Sequence, residues 1–282
     1  MLKRAGGLLW HHDGPAPEET RQLESVGHCM LRSVFAGREL AELKADVLEV
    51  FARLPGDRRA GIPDEETAAQ FRYQMCNRSA LSQKAMAHPR ILEVVDPLVG
   101  SDSHAINSTA WRNPPGRVAD PQSYYWHIDS GPHVPRRAGV PWPAAIAYPI
   151  FVIGTHIYLE DCTLDDGPTS VVPTSHRSGR TAPIDQRFET TLEYEGHRPV
   201  CLIAEAGDVG CFVSDAWHRR RLPTGRSRGR LFLQTNYGRR DIAQRLLPTD
   251  EANQASAEAR ARALTPRERT LLGLHPPSFY DG

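Results

Sequence analysis

Long apolar runs are missing from this chain. Nowhere in its 282 residues does an apolar stretch approach the roughly 20 residues that a membrane-spanning helix needs. The first ten residues are apolar only briefly before His11-His12-Asp13, so no signal peptide is expected there. Lysine is nearly absent too, at positions 3, 44 and 84 only, against 34 basic residues in all. That bias toward arginine suggests a GC-rich coding sequence. The 34 basic residues balance 34 acidic ones, leaving no net charge to draw nucleic acid or an anionic membrane. The five cysteines, at 29, 76, 162, 201 and 211, are odd in number and show no C-x-x-C spacing. A disulfide framework or zinc ribbon is thereby excluded. The thiols are expected to be free, mostly buried as small hydrophobes, and suited to the reducing cytoplasm. There is no G-x-x-x-x-G-K-[ST] or H-E-x-x-H, and no internal repeat.

What is present changes texture along the chain. Residues 1–20 hold Pro15 and Pro17 among charged groups and read as a loose arm. From Arg38 to Leu54, Leu40, Leu43, Val47, Val50, Phe51 and Leu54 recur at helical spacing, and Pro55-Gly56 ends the run. Residues 57–67 read as a surface loop. Helices are expected over Ala80–Ala87 and from Pro89, where Pro97 should end or kink the helix and Gly100 close it. Short apolar or alternating runs follow at His104–Trp111, Ala145–Leu159, Thr169–Val172, Val200–Ala204, Val209–Val213 and Arg230–Tyr237, divided by Pro, Gly and Asp. That pattern belongs to a sandwich or barrel. The fold expected is mainly β with flanking helices, a cupin-like jelly roll (double-stranded β-helix). One domain over 1–282 is expected, with a helical C-terminal extension over 241–282 that includes Ala252–Ala263 and a short helix near Arg267–Leu272.

Within the β region lies a set of metal-ligand types. His127-Ile128-Asp129 forms an H-x-D triplet, and His218 follows in Asp215-Ala216-Trp217-His218. On a strand, His127 and Asp129 would share a face, and a neighbouring strand could bring in His218. Two imidazoles and one carboxylate with open coordination positions are the facial triad of non-heme Fe(II) oxygenases. Downstream, Arg226, Arg228 and Arg230 lead into an apolar strand. One of them could offer its planar fork to the carboxylate of a 2-oxo acid, and periodicity does not choose among them.

The stretch between the two halves of the triad resembles a known family. Asp161-Cys162-Thr163-Leu164-Asp165-Asp166-Gly167-Pro168-Thr169-Ser170-Val171-Val172-Pro173-Thr174-Ser175-His176 is similar to the D-x-T-x-x-N-G…P-G-S-H segment of the phytanoyl-CoA dioxygenase family. Asp166 stands for the usual Asn and Thr174 for the usual Gly. Trp111-Arg112-Asn113-Pro114-Pro115-Gly116 resembles the family's approach to the H-x-D, and Leu23–Arg32 its opening strand. The resemblance runs from about residue 20 to about residue 238.

It implies Fe(II) as cofactor, held by His127, Asp129 and His218, and 2-oxoglutarate as co-substrate, converted with O2 to succinate and CO2. It favours Arg228 for the far carboxylate of 2-oxoglutarate, and it places Thr109 and His156 where the family contacts that co-substrate. The substrate implied is a small molecule, hydroxylated or otherwise oxidised; similar relatives act on acyl-CoAs, amino acids, osmolytes and natural products. Because Asp129 is present, halogenation is not expected. The Pro-rich loop Ser130–Pro143 follows directly on the ligands. Its His133, Arg136, Arg137 and Trp142 are expected to roof the substrate pocket, and Asp165, Asp166 and Gly167 to form a tight turn. The competing interpretation is a jelly-roll protein that binds a small molecule without turnover.

Overall fold

The computed structural model describes residues 2–5, 8–11, 16–53, 70–116, 124–129, 131–143, 145–242 and 255–276. Two antiparallel sheets build the body. The larger has the strand order β3-β9-β6-β11-β5-β4, formed by β3 (His28–Leu31), β4 (Gln70–Tyr73), β5 (His104–Asn113), β6 (Val152–Tyr158), β9 (Val209–Val213) and β11 (Arg230–Gly238). The smaller runs β10-β7-β8, from β7 (Thr169–Val171), β8 (Val200–Cys201) and β10 (His218–Arg220). The architecture is the jelly roll that the strand pattern leads one to expect.

Side-chain alternation gives the large sheet two different faces. One carries Cys29, Leu31, Ile153, Ile157, Val209, Cys211, Val213, Leu231 and Leu233 into the main apolar core. Helices α1 (Glu18–Val26), α2 (Gly37–Arg53) and α5 (Pro89–Val99) cover it with Leu23, with Leu43, Val47 and Val50, and with Ile91, Val94 and Val95. The other face looks toward the small sheet and carries Phe212, His156, Tyr158, Phe232 and Trp111. Register ties its residues into rows across three strands, Thr109–Gln234–His156 and Trp111–Phe232–Tyr158. Phe212 packs with Val171, Leu202 and Ala216 from the region of the small sheet. Between the sheets is therefore an aromatic and polar interior, while the helices seal the apolar side.

Several local expectations change. The arm contains a backbone hairpin, β1 (Leu2–Ala5) with β2 (Leu8–His11), and α1 already starts at Glu18. Residues 23–26 are helical, not strand; α1 stops because Gly27 adopts φ +84° and donates its N–H back to Leu23 O. The run from Ala145 pairs only from Val152, after Pro149, which has no N–H for a ladder. Past β8, only Ala204 pairs again, in an isolated bridge to Cys162. Pro97 lies inside α5, which continues to Val99. Strand β4 and the helical turn α3 (Met75–Arg78), which precedes α4 (Ala80–Met86), have no counterpart in the sequence pattern. The C-terminal helices are α6 (Ala257–Arg262) and α7 (Pro266–Leu271). The expected loop 57–67 and residues 252–254 lie outside the described residues. All five cysteines are free, with Cys29, Cys162 and Cys211 buried. No described helix is long and apolar enough to cross a membrane.

Candidate metal and co-substrate site

His127, Asp129 and His218 come together although no strand carries the first two. His127 makes one isolated bridge, donating its N–H to His218 O and accepting from His218 N, both at 2.9 Å. Asp129 N–H donates to Ser214 O at 3.2 Å. The segment is thus extended and held against the turn Ser214–Trp217 and the first residue of β10, and the alternation expected of a strand survives without one. One ligand atom from each side chain lies within 4.8 Å of the others.

Both imidazoles are oriented from behind. His127 Nδ1 donates to Tyr125 O and His218 Nδ1 to Ala216 O, each at 2.9 Å and each to the carbonyl two residues earlier. That fixes the tautomer with an unprotonated Nε2 facing the cluster, the orientation a metal requires. His218 Nε2 lies 3.3 Å from Asp129 Oδ1. Burial disfavours a charged His218, but the Asp129 carboxylate outweighs it and raises the His218 pKa; the same pairing outweighs burial at Asp129 and lowers its pKa. Two imidazole nitrogens and a carboxylate at this spacing fit Fe(II).

Next to the cluster, basic side chains line the interior between the sheets. His156 points from β6 between the sheets, its Nδ1 3.3 Å from Thr169 Oγ1 on β7. Burial, helped by Arg230, pushes its pKa down to about 3, so it is a neutral ring at working pH. Thr109 is buried in the same row of the sheet.

The three candidate arginines lie in different environments. Arg228 turns to solvent with its side chain 65% exposed, Nη2 3.9 Å from Asp166 Oδ2, and only its backbone N–H is held, by Asp166 Oδ1 at 2.7 Å. Arg230 is buried. Its Nε donates to Asn113 Oδ1 at 2.6 Å, it lies over the Phe232 ring, and its Nη1 meets no acceptor. The reason is Gly229. At φ +84° it breaks the alternation that would have given Arg228 and Arg230 a common face, and a Cβ there would stand 2.5 Å from Asn113 O. Arg226 is exposed, bound to Asp165.

A second inward-facing guanidinium, the half-buried Arg220, went unnoticed in the sequence because it sits in the basic run 219–221. Arg220 pairs with Thr169 across β10 and β7, so it shares the inward face with His218. Its guanidinium donates to the Gly167 and Asp166 carbonyls and the Tyr124 hydroxyl. Burial, then Arg230, brings its pKa down to about 9. A buried guanidinium at Arg230 and a half-buried one at Arg220, neither with a close carboxylate, suit an anionic ligand.

The turn Leu164–Asp166 forms as expected, with Asp166 accepting from Thr163 N and Oγ1 as a capping box. The proline-rich loop is less free than its composition implies. Ser130 lies outside the described residues. His133 is bound to Asp215, and Arg136 donates to the Arg177 and Val140 carbonyls and lies over the Trp142 ring. Trp142 Nε1 donates to Ile146 O. These three hold the loop together rather than standing free for a substrate, because each polar head already has a protein partner. Arg137 alone is exposed. Nearer the cluster, Tyr125 is 43% exposed with its ring 5.2 Å from that of His127; adjacency to the H-x-D triplet was the available signal for it.

Three comparisons bear on this geometry. The family model of phytanoyl-CoA dioxygenase (PhyH) matches residues 23–221. Among solved structures, SnoN from nogalamycin biosynthesis in complex with Fe3+, alpha ketoglutarate and nogalamycin RO aligns with TM-score 0.60 and 16% identity, covering 94% of this chain and 93% of that one. HygX from Streptomyces hygroscopicus with nickel and 2-oxoglutarate bound gives 0.60 and 16%, covering 82% and 90%. EctD from S. alaskensis with 2-oxoglutarate and 5-hydroxyectoine gives 0.57 and 18%, covering 82% and 78%. At these identities the likeness is one of fold. No curated protein matches the chain.

Proposed function

This chain belongs to the phytanoyl-CoA dioxygenase family, and from that premise we propose that it is an Fe(II)- and 2-oxoglutarate-dependent oxygenase acting on a small molecule. The observation that carries this is the convergence of His127, Asp129 and His218 within 4.8 Å, with both Nδ1 atoms pinned to backbone carbonyls. His127, Asp129 and His218 would hold Fe(II) and leave coordination positions open for a 2-oxo acid and O2. Fe(II) held there supplies the redox chemistry that couples 2-oxoglutarate decarboxylation to substrate oxidation, with succinate and CO2 as by-products.

The protein's own share is binding and exclusion. Arg230 offers its unpartnered Nη1 to the far carboxylate of 2-oxoglutarate, and Arg220, from the facing sheet, adds a second positive charge. Thr109 and neutral His156 line the same interior and add polar contacts without opposing charge. Phe212, Tyr158 and Phe232 around His156 keep it dry, which strengthens each charged contact. The open side of the cluster is at His127 and Asp129, which are less buried than His218, so the substrate approaches from there, beside Tyr125 and the loop at 131–143.

Asp129 fills the position a halide would need, which supports hydroxylation or a related oxidation. The epimerase and carbocyclase named among the structural neighbours, SnoN and SnoK, come from nogalamycin biosynthesis, and this supports a natural-product substrate. Free thiols and balanced charge support a cytoplasmic location without nucleic-acid or membrane partners. A binder without turnover would need neither the oriented pair of Nε2 atoms nor the buried arginine.

The test is anaerobic loading with Fe(II) and 2-oxoglutarate, then exposure to O2. Succinate should form slowly alone and faster with substrate, and a screen of small molecules should give a product heavier by one oxygen. Failure to bind Fe(II) and 2-oxoglutarate together would overturn the assignment.

A further inference from the structure

Asp215 lies three residues before His218, is 4% exposed, and has both carboxylate oxygens occupied. Oδ1 accepts from His133 Nδ1 at 2.5 Å and from Ser214 Oγ at 3.3 Å. Oδ2 accepts from the His133 backbone N–H at 3.0 Å and from the Tyr148 hydroxyl at 3.1 Å. Burial, reinforced by the Asp215 charge, pushes the Tyr148 pKa up, so this hydroxyl keeps its proton and donates. His133 also stacks on Phe151, ring centroids 5.1 Å apart and planes 9° from parallel, and Arg239 covers Phe151 at 4.5 Å.

His133 and Tyr148 are the two ends of the segment that follows the H-x-D triplet, and between them residues 137–141 and 145–147 are exposed. One carboxylate therefore closes this segment into a loop, and closure of a loop this long costs entropy that the three hydrogen bonds from His133 and Tyr148 must offset. Asp215 also lies in the turn Ser214–Trp217 that borders the metal cluster. Ser214 O holds Asp129 N–H, and Ala216 O holds His218 Nδ1. The same short turn thus touches two of the three ligands and both ends of the loop.

We propose that Asp215 is a positioning residue that couples the 131–148 segment to the metal cluster, so that occupation of the cluster tightens the segment over the substrate's approach. The proposal rests on the metal reading of the site. Replacing the carboxylate by an amide removes its charge and one acceptor, so at least one donor on the loop loses its partner.

The exposed Arg137 is a built-in reporter, because trypsin cleaves after it only when the segment opens. The protein is loaded with Mn(II) and 2-oxoglutarate, and cleavage at Arg137 is timed with and without them, alongside calorimetry of Mn(II) binding. In the wild type, loading should slow cleavage severalfold. In Asp215→Asn, cleavage should be fast and indifferent to loading, while Mn(II) affinity stays close to wild type. Tyr148→Phe, which removes one anchor and leaves the turn intact, should fall between, and it decides the question if Asp215→Asn does not fold. A loop that is merely packed would become more cleavable in the variants yet keep its response to loading. The proposal is overturned if the variants respond as the wild type does, or if wild-type cleavage ignores loading. It is overturned also if Asp215→Asn loses Mn(II) while Tyr148→Phe behaves as wild type, which would assign Asp215 to the metal turn alone. Absence of Mn(II) binding to the wild type would instead overturn the metal reading itself.

Discussion

The rings of His127 and His218 lie with centroids 4.4 Å apart and planes tilted by 56°, beside reciprocal backbone hydrogen bonds of 2.9 Å. Residues 91 positions apart in the chain are thereby locked in register by the very peptide groups that carry the ligands. The ligand spacing is set by backbone and not by side-chain packing, so single side chains can be removed without moving the others.

Replacing His218 by Ala is expected to abolish Fe(II) retention while leaving the fold in place. Loss of a residue that only orients a ligand typically weakens metal binding about 10–100-fold, so loss of the ligand itself should exceed that. Calorimetry with Mn(II) and circular dichroism check the two halves. A His218→Ala protein with wild-type metal affinity would remove the cluster as the metal site.

Metal affinity should rise with pH. Asp129 raises the His218 pKa above the ordinary 6.5 in the metal-free protein, and the metal must displace that proton. Below the raised value, affinity should fall about tenfold per pH unit for one proton. The sign for the metal-free fold is opposite. Stability from a raised histidine pKa is complete below about 6.5 and is lost as pH rises through the folded value. The gain in Tm on adding Mn(II) should therefore grow from acid to neutral pH. A gain independent of pH would mean that His218 holds no proton in the metal-free state.

Arg230→Ala is expected to weaken 2-oxoglutarate binding by about ten- to a hundredfold, as befits loss of a charge-assisted pair worth on the order of 1.5–3 kcal/mol. Arg228→Ala should leave it nearly unchanged, since that side chain is in solvent. Titration of the metal-loaded variants separates the two, and the reverse result would restore Arg228 as the carboxylate partner.

Thr174 sits at φ +63°, ψ −11°, with its hydroxyl unpartnered, where the related segment carries glycine. Left-handed backbone costs an ordinary residue about 1–2 kcal/mol, against about 0.5–1 kcal/mol for the extra freedom glycine loses on folding. Thr174→Gly should therefore stabilise the protein slightly, visible as a higher denaturant midpoint with unchanged slope. A lower midpoint would show that the Thr174 side chain contributes packing that exceeds the backbone strain.

Much of the fold was legible because periodicity maps directly onto burial. The stripe Leu43, Val47, Val50 and Phe51 is the buried face of α2, and Val209–Val213 is a strand buried on both sides. The errors fall where one backbone angle or one missing N–H overrides a pattern. Gly27 turns an expected strand start into a helix end, and Pro149 delays β6 to Val152. The H-x-D parity held for a different reason than a strand, since one bridge and the Asp129–Ser214 bond supplied the extended geometry.

By itself the sequence determined the candidate donor set and its order, His127, Asp129 and His218, because ligand chemistry resides in residue type and spacing. It determined the alternation of helix-forming and strand-forming segments, because burial patterns are local. Tertiary structure decided which arginine enters the interior, since Gly229 reverses the face of everything before it and no periodicity crosses a positive φ. It decided also that Arg220 joins that interior, and that His133 and Tyr148 meet on Asp215. Those are contacts between segments distant in sequence, and only the pairing of β10 with β7 and the packing of the loop on the turn before His218 bring them together.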